Sequence, residues 1–154
     1  MVTSSDMMQV SEMWIRILNK IDAMEKCPKD FGSGDLLHCS EIHTLMGIGM
    51  HKDITVTELA GFLGISKSAI SQMITRLVEK NLVEKHQNPK NGKEIFLRLS
   101  AKGMVAYLGH EQYHAKMFAL MGDKLGPMNE EQFMFLSKIL HAVEETVDEF
   151  LQGN

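Results

Sequence analysis

Near the start of the chain the apolar residues fall at Val10, Met13, Trp14, Ile17, Leu18 and Ile21. Steps of three and four place them on one stripe of a helix, with Asp6 ahead of them as a fitting cap. The stripe fades near Glu25, where CPKDFGSGD gathers breakers and reads as a loop. A second helix is expected from Ser40 to about Met50, carrying Ile42, Leu45, Met46 and Ile48. In ITVTELAGFLGISKSAISQMITRLVEKNLVEK, Thr55 and Glu58 form a capping box for a short helix ending near Leu63. Gly64 permits a tight turn and Ser66 caps the next helix, which runs to about Lys80; Asn81 suits its left-handed closing position. Two helices joined by a short glycine-containing turn make a helix-turn-helix.

The second of these helices has two faces. Ala69, Ile70, Met73, Ile74 and Leu77 face inward, while Lys67, Ser68, Ser71, Gln72 and Thr75 form a short-chained polar stripe. Such a face fits a major groove, where Gln and Ser can hydrogen-bond base edges; a plain solvated helix face is the alternative. Leu82 to His86 and Glu94 to Leu99 read as two strands, with Asn91-Gly92 as the tight turn and Lys90 and Lys93 at the tip. A wing of this kind can lie along phosphates beside the groove.

A long helix follows Ser100, and a last helix begins after Gly126-Pro127 at the capping pair Asn129 and Gln132. In it Phe133, Leu136, Leu140, Val143, Val147 and Phe150 form a heptad-like seam. With so much apolar surface at both chain ends, a homodimer is expected; closure within one chain is the alternative. The fold class is therefore mainly α with a small β-wing, a winged helix-turn-helix. Residues 1–52 and 101–154 make a helical dimerisation region around a DNA-binding lobe of residues 53–100, intertwined as one domain.

Charge sharpens this reading. The chain carries a net −4, yet from Ser66 to Lys102 there are eight Lys/Arg against three acids, a local +5 inside a remainder of −9. A basic segment in an acidic chain is the electrostatic footprint of a DNA-binding module, and adds Arg76 to the candidate contacts. Hydrophobic residues at 44% and charged residues at 23% exclude wholesale disorder. The 13 Met suit irregular helical cores. No leader pattern or membrane span is present, which points to the cytoplasm, where Cys27 and Cys39 stay reduced.

His110 to His114 reads HEQYH, the H-E-x-x-H of zinc peptidases. Two histidines one helical turn apart can share a zinc ion, but hydrolysis also needs Glu111 as base, a third protein ligand and an open position. The longer peptidase pattern wants Gly and His where Met117 and Leu120 stand; Glu130 or Glu131 could offer a third ligand, but no substrate cleft is indicated. No enzyme activity and no catalytic residue is assigned.

TELAGFLGISKSAISQMITRLVEKNLVEK and LRLSAKG resemble the helix-turn-helix core and the strand-to-helix element of the MarR family of winged-helix transcription regulators. The resemblance covers nearly the whole chain. It implies a homodimeric regulator, most simply a repressor, on palindromic double-stranded DNA, with no membrane partner. The family's wing usually reads D-P-x-D-x-R, whereas Asn88, Pro89, Lys90, Asn91, Gly92 and Lys93 stand here. Lysine keeps the charge of that arginine but loses its planar fork. In the family's zinc-responsive adhesin competence repressor branch, zinc is bound by a Glu ending the first helix, a His in the second and an H-x-x-x-H pair after the wing. The resemblance places Glu25, His43, His110 and His114 there, so zinc is the expected cofactor, regulatory rather than catalytic. Binding through deprotonated ligands should weaken as pH falls through the histidine range. That branch's second site falls on Phe31, Ile42 and Gly109 and is expected to be missing; Cys27, His38, Cys39 and Glu41 are close enough in sequence to form a different one, but read as structural or solvent-exposed. A redox role for Cys39 has no basic sequence neighbour to support it. The nearest alternative is the same DNA-binding dimer controlled by an apolar or phenolic small-molecule effector.

Overall fold

The computed structural model describes residues 3–89 and 91–153, with every side chain among them except that of Glu25. The elements run α1 (Ser4–Glu25), β1 (Lys29–Asp30), β2 (Leu36–Leu37), α2 (Cys39–Met50), β3 (Ile54–Thr55), α3 (Val56–Leu63), α4 (Lys67–Glu79), β4 (Val83–Asn88), β5 (Asn91–Leu99), α5 (Ala101–Leu125) and α6 (Glu130–Gln152). They form two compact units, Met1–Gln112 and Tyr113–Asn154, the division falling within α5. None of the described helices is long and apolar enough to cross a membrane.

The helix-turn-helix forms where its caps predict. Thr55 and Glu58 close a capping box on α3, Gly64 takes a left-handed φ of 67° after it, and the Ser66 hydroxyl accepts from the Ala69 amide to start α4. Asn81 ends α4 at φ 58°, as its short polar side chain allows. The core of this unit gathers Ile42, Leu45 and Ile48 of α2, Leu59 of α3, Ile70, Ile74 and Leu77 of α4, and Leu82, Val83 and Leu97 beside them.

Three expectations are corrected. Thr3, rather than Asp6, caps α1; Asp6 is the reciprocal partner three residues on, accepting from the Thr3 amide. The wing's second strand already begins at Asn91, paired with Asn88, so Asn91-Gly92 lies in β5 and not at the turn. Pro89 explains this, since it cannot donate to the ladder and fits a turn. The breaker-rich loop holds a small antiparallel pair, Lys29 with Leu37 and Asp30 with Leu36, and β3 joins β5 to give a three-stranded wing in the order β3-β5-β4.

Lys80 ties α4 to α2. Its ammonium donates to both Glu41 carboxylate oxygens at 2.8 and 3.0 Å, and Glu41, 5% exposed, also accepts from the His38 amide at 3.0 Å. Burial pushes the Glu41 carboxyl up, but the hydrogen bonds from Lys80 and His38 and the Lys80 charge outweigh it, leaving the group below the usual carboxylate range. A depressed carboxylate contributes stability above that range and loses it as pH falls through the lowered value. Lys80→Ala leaves Glu41 buried without its cation, and near neutral pH is expected to cost about 3 kcal/mol in urea unfolding, a gap that shrinks in acid.

α1 and α6 look different from this core. On α1, Val10, Trp14, Ile17 and Ile21 are exposed, and no residue of α6 is buried: Phe133, Leu140 and Phe150 are 61%, 55% and 72% exposed. Each of the two helices thus leaves a patterned apolar seam open on the single chain.

Candidate functional site

The polar stripe of α4 stands out in solvent as the periodicity predicts. Ser66, Lys67, Ser68, Ser71, Gln72, Thr75 and Arg76 are all exposed, while Ile70, Met73, Ile74 and Leu77 are buried. The Ser71 hydroxyl donates to the Lys67 carbonyl at 2.9 Å and Thr75 to that of Ser71 at 3.0 Å. Their protons are thus spent on the helix, and what they offer outward is acceptor lone pairs and the Thr75 methyl. Lys67, Gln72 and Arg76 are the long donor-bearing side chains of the stripe.

The basic segment is smaller in effect than its charge count. Lys80 is engaged by Glu41, Arg98 by Asp53 at 2.5 Å and Lys102 by Asp35 at 2.7 Å. The Arg98 hydrogen bond is the main cause holding the Asp53 carboxyl below the usual range. Lys67, Arg76, Lys85 and Lys93 remain exposed around α4 and the wing; Lys90 lies outside the described residues. Within the wing, the Asn88 amide donates to Glu94 at 2.5 Å, joining its two strands.

The histidines come together. α5 packs through small residues: a Cβ on Gly103 would collide with the Leu82 carbonyl oxygen, and one on Gly109 with that of Phe31. With Ala106 between them, this face lies close against the unit, and His110, one turn on, is buried at 4% exposure. Phe31 meets the His110 ring edge-on at 5.1 Å, and His43 of α2 meets it at 5.5 Å. His114 follows one turn along the same helix, and His43, His110 and His114 each offer a ring nitrogen within 4.8 Å of the others. In tetrahedral zinc coordination, Zn–N bonds of ~2.0–2.1 Å put nitrogens about 3.4 Å apart, so small side-chain rotations would close the set. Glu25, the fourth expected ligand, ends α1, and its side chain lies outside the described residues.

At Gly109 any side chain would meet the backbone of Phe31. Gly109→Ala is expected to displace that loop at about 1–3 kcal/mol of overpacking, read as a fall in the urea midpoint. Glu111 is exposed on another side of α5, where the Tyr107 hydroxyl hydrogen-bonds to it and is raised above its ordinary pKa in consequence. Cys39, read from the sequence as structural or solvent-exposed, has its Sγ 3.8 Å from Nδ1 and 3.7 Å from Nε2 of His43.

Comparisons with known proteins agree with this architecture. The model of the MarR family matches residues 37–95. An uncharacterised HTH-type transcriptional regulator of Bacillus subtilis, YhjH, is 25% identical over 137 residues, covering 88% of this chain and 78% of that protein. Among solved structures, Streptococcus pneumoniae FabT in complex with DNA superposes with a TM-score of 0.75 at 20% identity, covering 94% of this chain and 99% of that one. The adhesin competence repressor of Streptococcus pyogenes gives 0.71 at 18% identity, covering 89% and 96%. The fold is thus the MarR-like winged helix, and residues 37–95 of the chain are similar to the MarR family.

Proposed function

We propose that this chain is a DNA-binding transcription regulator, most simply a repressor, that acts as a homodimer on a palindromic operator and responds to a divalent metal, zinc. The exposed polar stripe of α4 beside a basic wing carries the DNA reading. Each protomer sets α4 in a major groove, with Ser66, Lys67, Ser68, Ser71, Gln72, Thr75 and Arg76 toward bases and flanking phosphates and Lys90 and Lys93 of the wing on the backbone. The half-sites then lie about one helical turn apart, roughly 34–36 Å. Residues 53–100 form the DNA-binding lobe, and residues 1–52 and 101–154 supply the dimer contact. The open seams of α1 and α6 support this, and light scattering should give twice the 17.4 kDa chain mass. Leu140→Asp on the seam should shift the mass toward one chain and abolish tight operator binding.

The convergence of His43, His110 and His114 carries the metal reading. These residues, with Glu25 in the resembled arrangement, would hold the ion, which supplies a four-coordinate junction when bound. His43 on α2 and the pair on α5 would then be fixed to one another. Because α5 continues into the segment assigned to the dimer, that restraint can set the spacing of the two recognition helices. It regulates DNA affinity to the extent that the two spacings bind metal differently.

One observation favours a small-molecule effector instead. An apolar groove in residues 113–154 is lined by Phe118, Met121, Leu125, Met128, Phe133 and Leu136. Metal analysis of protein purified without added metal, followed by operator binding with zinc and with chelator, separates the two readings.

A further inference from the structure

We propose that Asn91-Gly92 on the wing is a self-modification site, where conversion of the Asn91 amide to a carboxylate sets a negative charge beside Lys93 and lowers DNA affinity as the protein ages. The loss of affinity rests on the DNA reading above; the chemical step does not. Asn91 is the one asparagine of this chain that glycine follows. The step needs no reactant besides water. The Gly92 backbone nitrogen attacks Asn91 Cγ, the bond from Cγ to the side-chain nitrogen breaks, and ammonia leaves with the Gly92 amide proton. A five-membered succinimide remains, and water opens it at either carbonyl to aspartate or isoaspartate, each with a carboxylate in place of the amide.

Asn91, Gly92 and Lys93 are exposed, and a Cβ on Gly92 would meet nothing within 4 Å, so neither a neighbour nor a side chain on the attacking residue hinders ring closure. The backbone here is also released from the ladder. Asn88 pairs with Asn91 while adjacent Gln87 pairs with Ile95, so the register leaves Gly92, Lys93 and Glu94 without partners on β4. Such an irregularity gives the local backbone room to turn toward the side chain. The Asn91 Oδ1 accepts from the Lys93 amide at 3.4 Å, a long hydrogen bond that folds the side chain forward over the Gly92 peptide and draws electron density from Cγ. These conditions fail at other asparagines. Asn88 precedes Pro89, which has no N–H to give up; Asn81 precedes the buried Leu82; Asn129 is held by the Gln132 amide at 2.8 Å as the cap of α6. On the wing the new charge has a consequence, because Lys93 beside it is one of the cations set against phosphate.

Incubation of the full-length protein in warm, mildly alkaline buffer, followed by peptide mass mapping and DNA binding, tests this. Aged wild type should gain the mass difference between an amide and a carboxyl at Asn91 before any other asparagine, with part of the product methylated by an isoaspartate-specific methyltransferase. Its affinity should fall by roughly 2- to 5-fold, the worth of one exposed ion pair, on a selected operator and on random DNA alike. Fresh Asn91→Asp should reproduce that fall without ageing. Asn91→Gln, whose cyclisation needs a less favoured six-membered ring, should age without losing affinity. Asn91 intact in the folded protein when it has reacted in a urea-unfolded sample would overturn the site, as would earlier reaction at another asparagine. Full conversion at Asn91 with affinity unchanged would overturn the attenuation. Fresh wild type that binds no DNA would sink the DNA reading and the attenuation with it, while the mass map still decides the chemical step.

Discussion

His110→Gln should leave a folded protein that zinc no longer stabilises. His110 is the buried member of the trio, held between Phe31 and His43, and glutamine keeps much of its volume without an imidazole donor. Loss of a direct ligand should exceed the ~10–100-fold cost of outer-shell changes, so zinc affinity should fall by more than about 100-fold. The consequence is measurable as linkage. With zinc at 100 times its dissociation constant, the wild type gains about 2.7 kcal/mol of unfolding free energy. Thermal or urea unfolding of His110→Gln at the same zinc concentration should match its unfolding in chelator. His114→Ala, at a less buried position, should repeat the loss with little effect on the apo-protein, which separates ligation from packing.

The second large effect concerns DNA selectivity. Gln72 stands at the middle of the exposed α4 stripe, and its amide can both donate to and accept from a base edge. A bidentate base contact is worth about 1–3 kcal/mol of discrimination, so Gln72→Ala should lower preference at one operator position by roughly 5- to 150-fold while barely changing binding to random DNA. Lys90→Ala or Lys93→Ala should do the reverse: weaker binding to every sequence, and a salt dependence shallower by about one unit of slope per lysine removed. Equal loss on operator and random DNA for Gln72→Ala would show that α4 does not read bases.

How much of this was legible in the sequence depends on how local the physics is. Caps and turns are set by neighbouring residues, so Thr55, Glu58, Gly64, Ser66 and Asn81 marked their boundaries correctly. The wing turn was misplaced because Asn91-Gly92 is a strong local signal that the ladder overrides: register places Asn91 opposite Asn88. The short β1-β2 pair escaped because two-residue strands carry no periodicity. Residues remote in sequence were harder. That Lys80 is committed to Glu41, Arg98 to Asp53 and Lys102 to Asp35 cannot be seen from a charge count. The His110–His114 pair was visible as helical spacing, and His43 entered through family resemblance; their approach is a tertiary fact.

The decisive measurement is operator binding at fixed ionic strength with free zinc buffered high and then removed by chelator, using an inverted repeat selected from random DNA. Salt must be held constant because phosphate contacts alone can shift affinity by orders of magnitude. A metal-responsive regulator gives a zinc-dependent change of about 5- to 150-fold in the wild type, corresponding to a coupling of ~1–3 kcal/mol, and none in His110→Gln. Equal affinity with zinc and with chelator, or a zinc response that survives in His110→Gln, would contradict it.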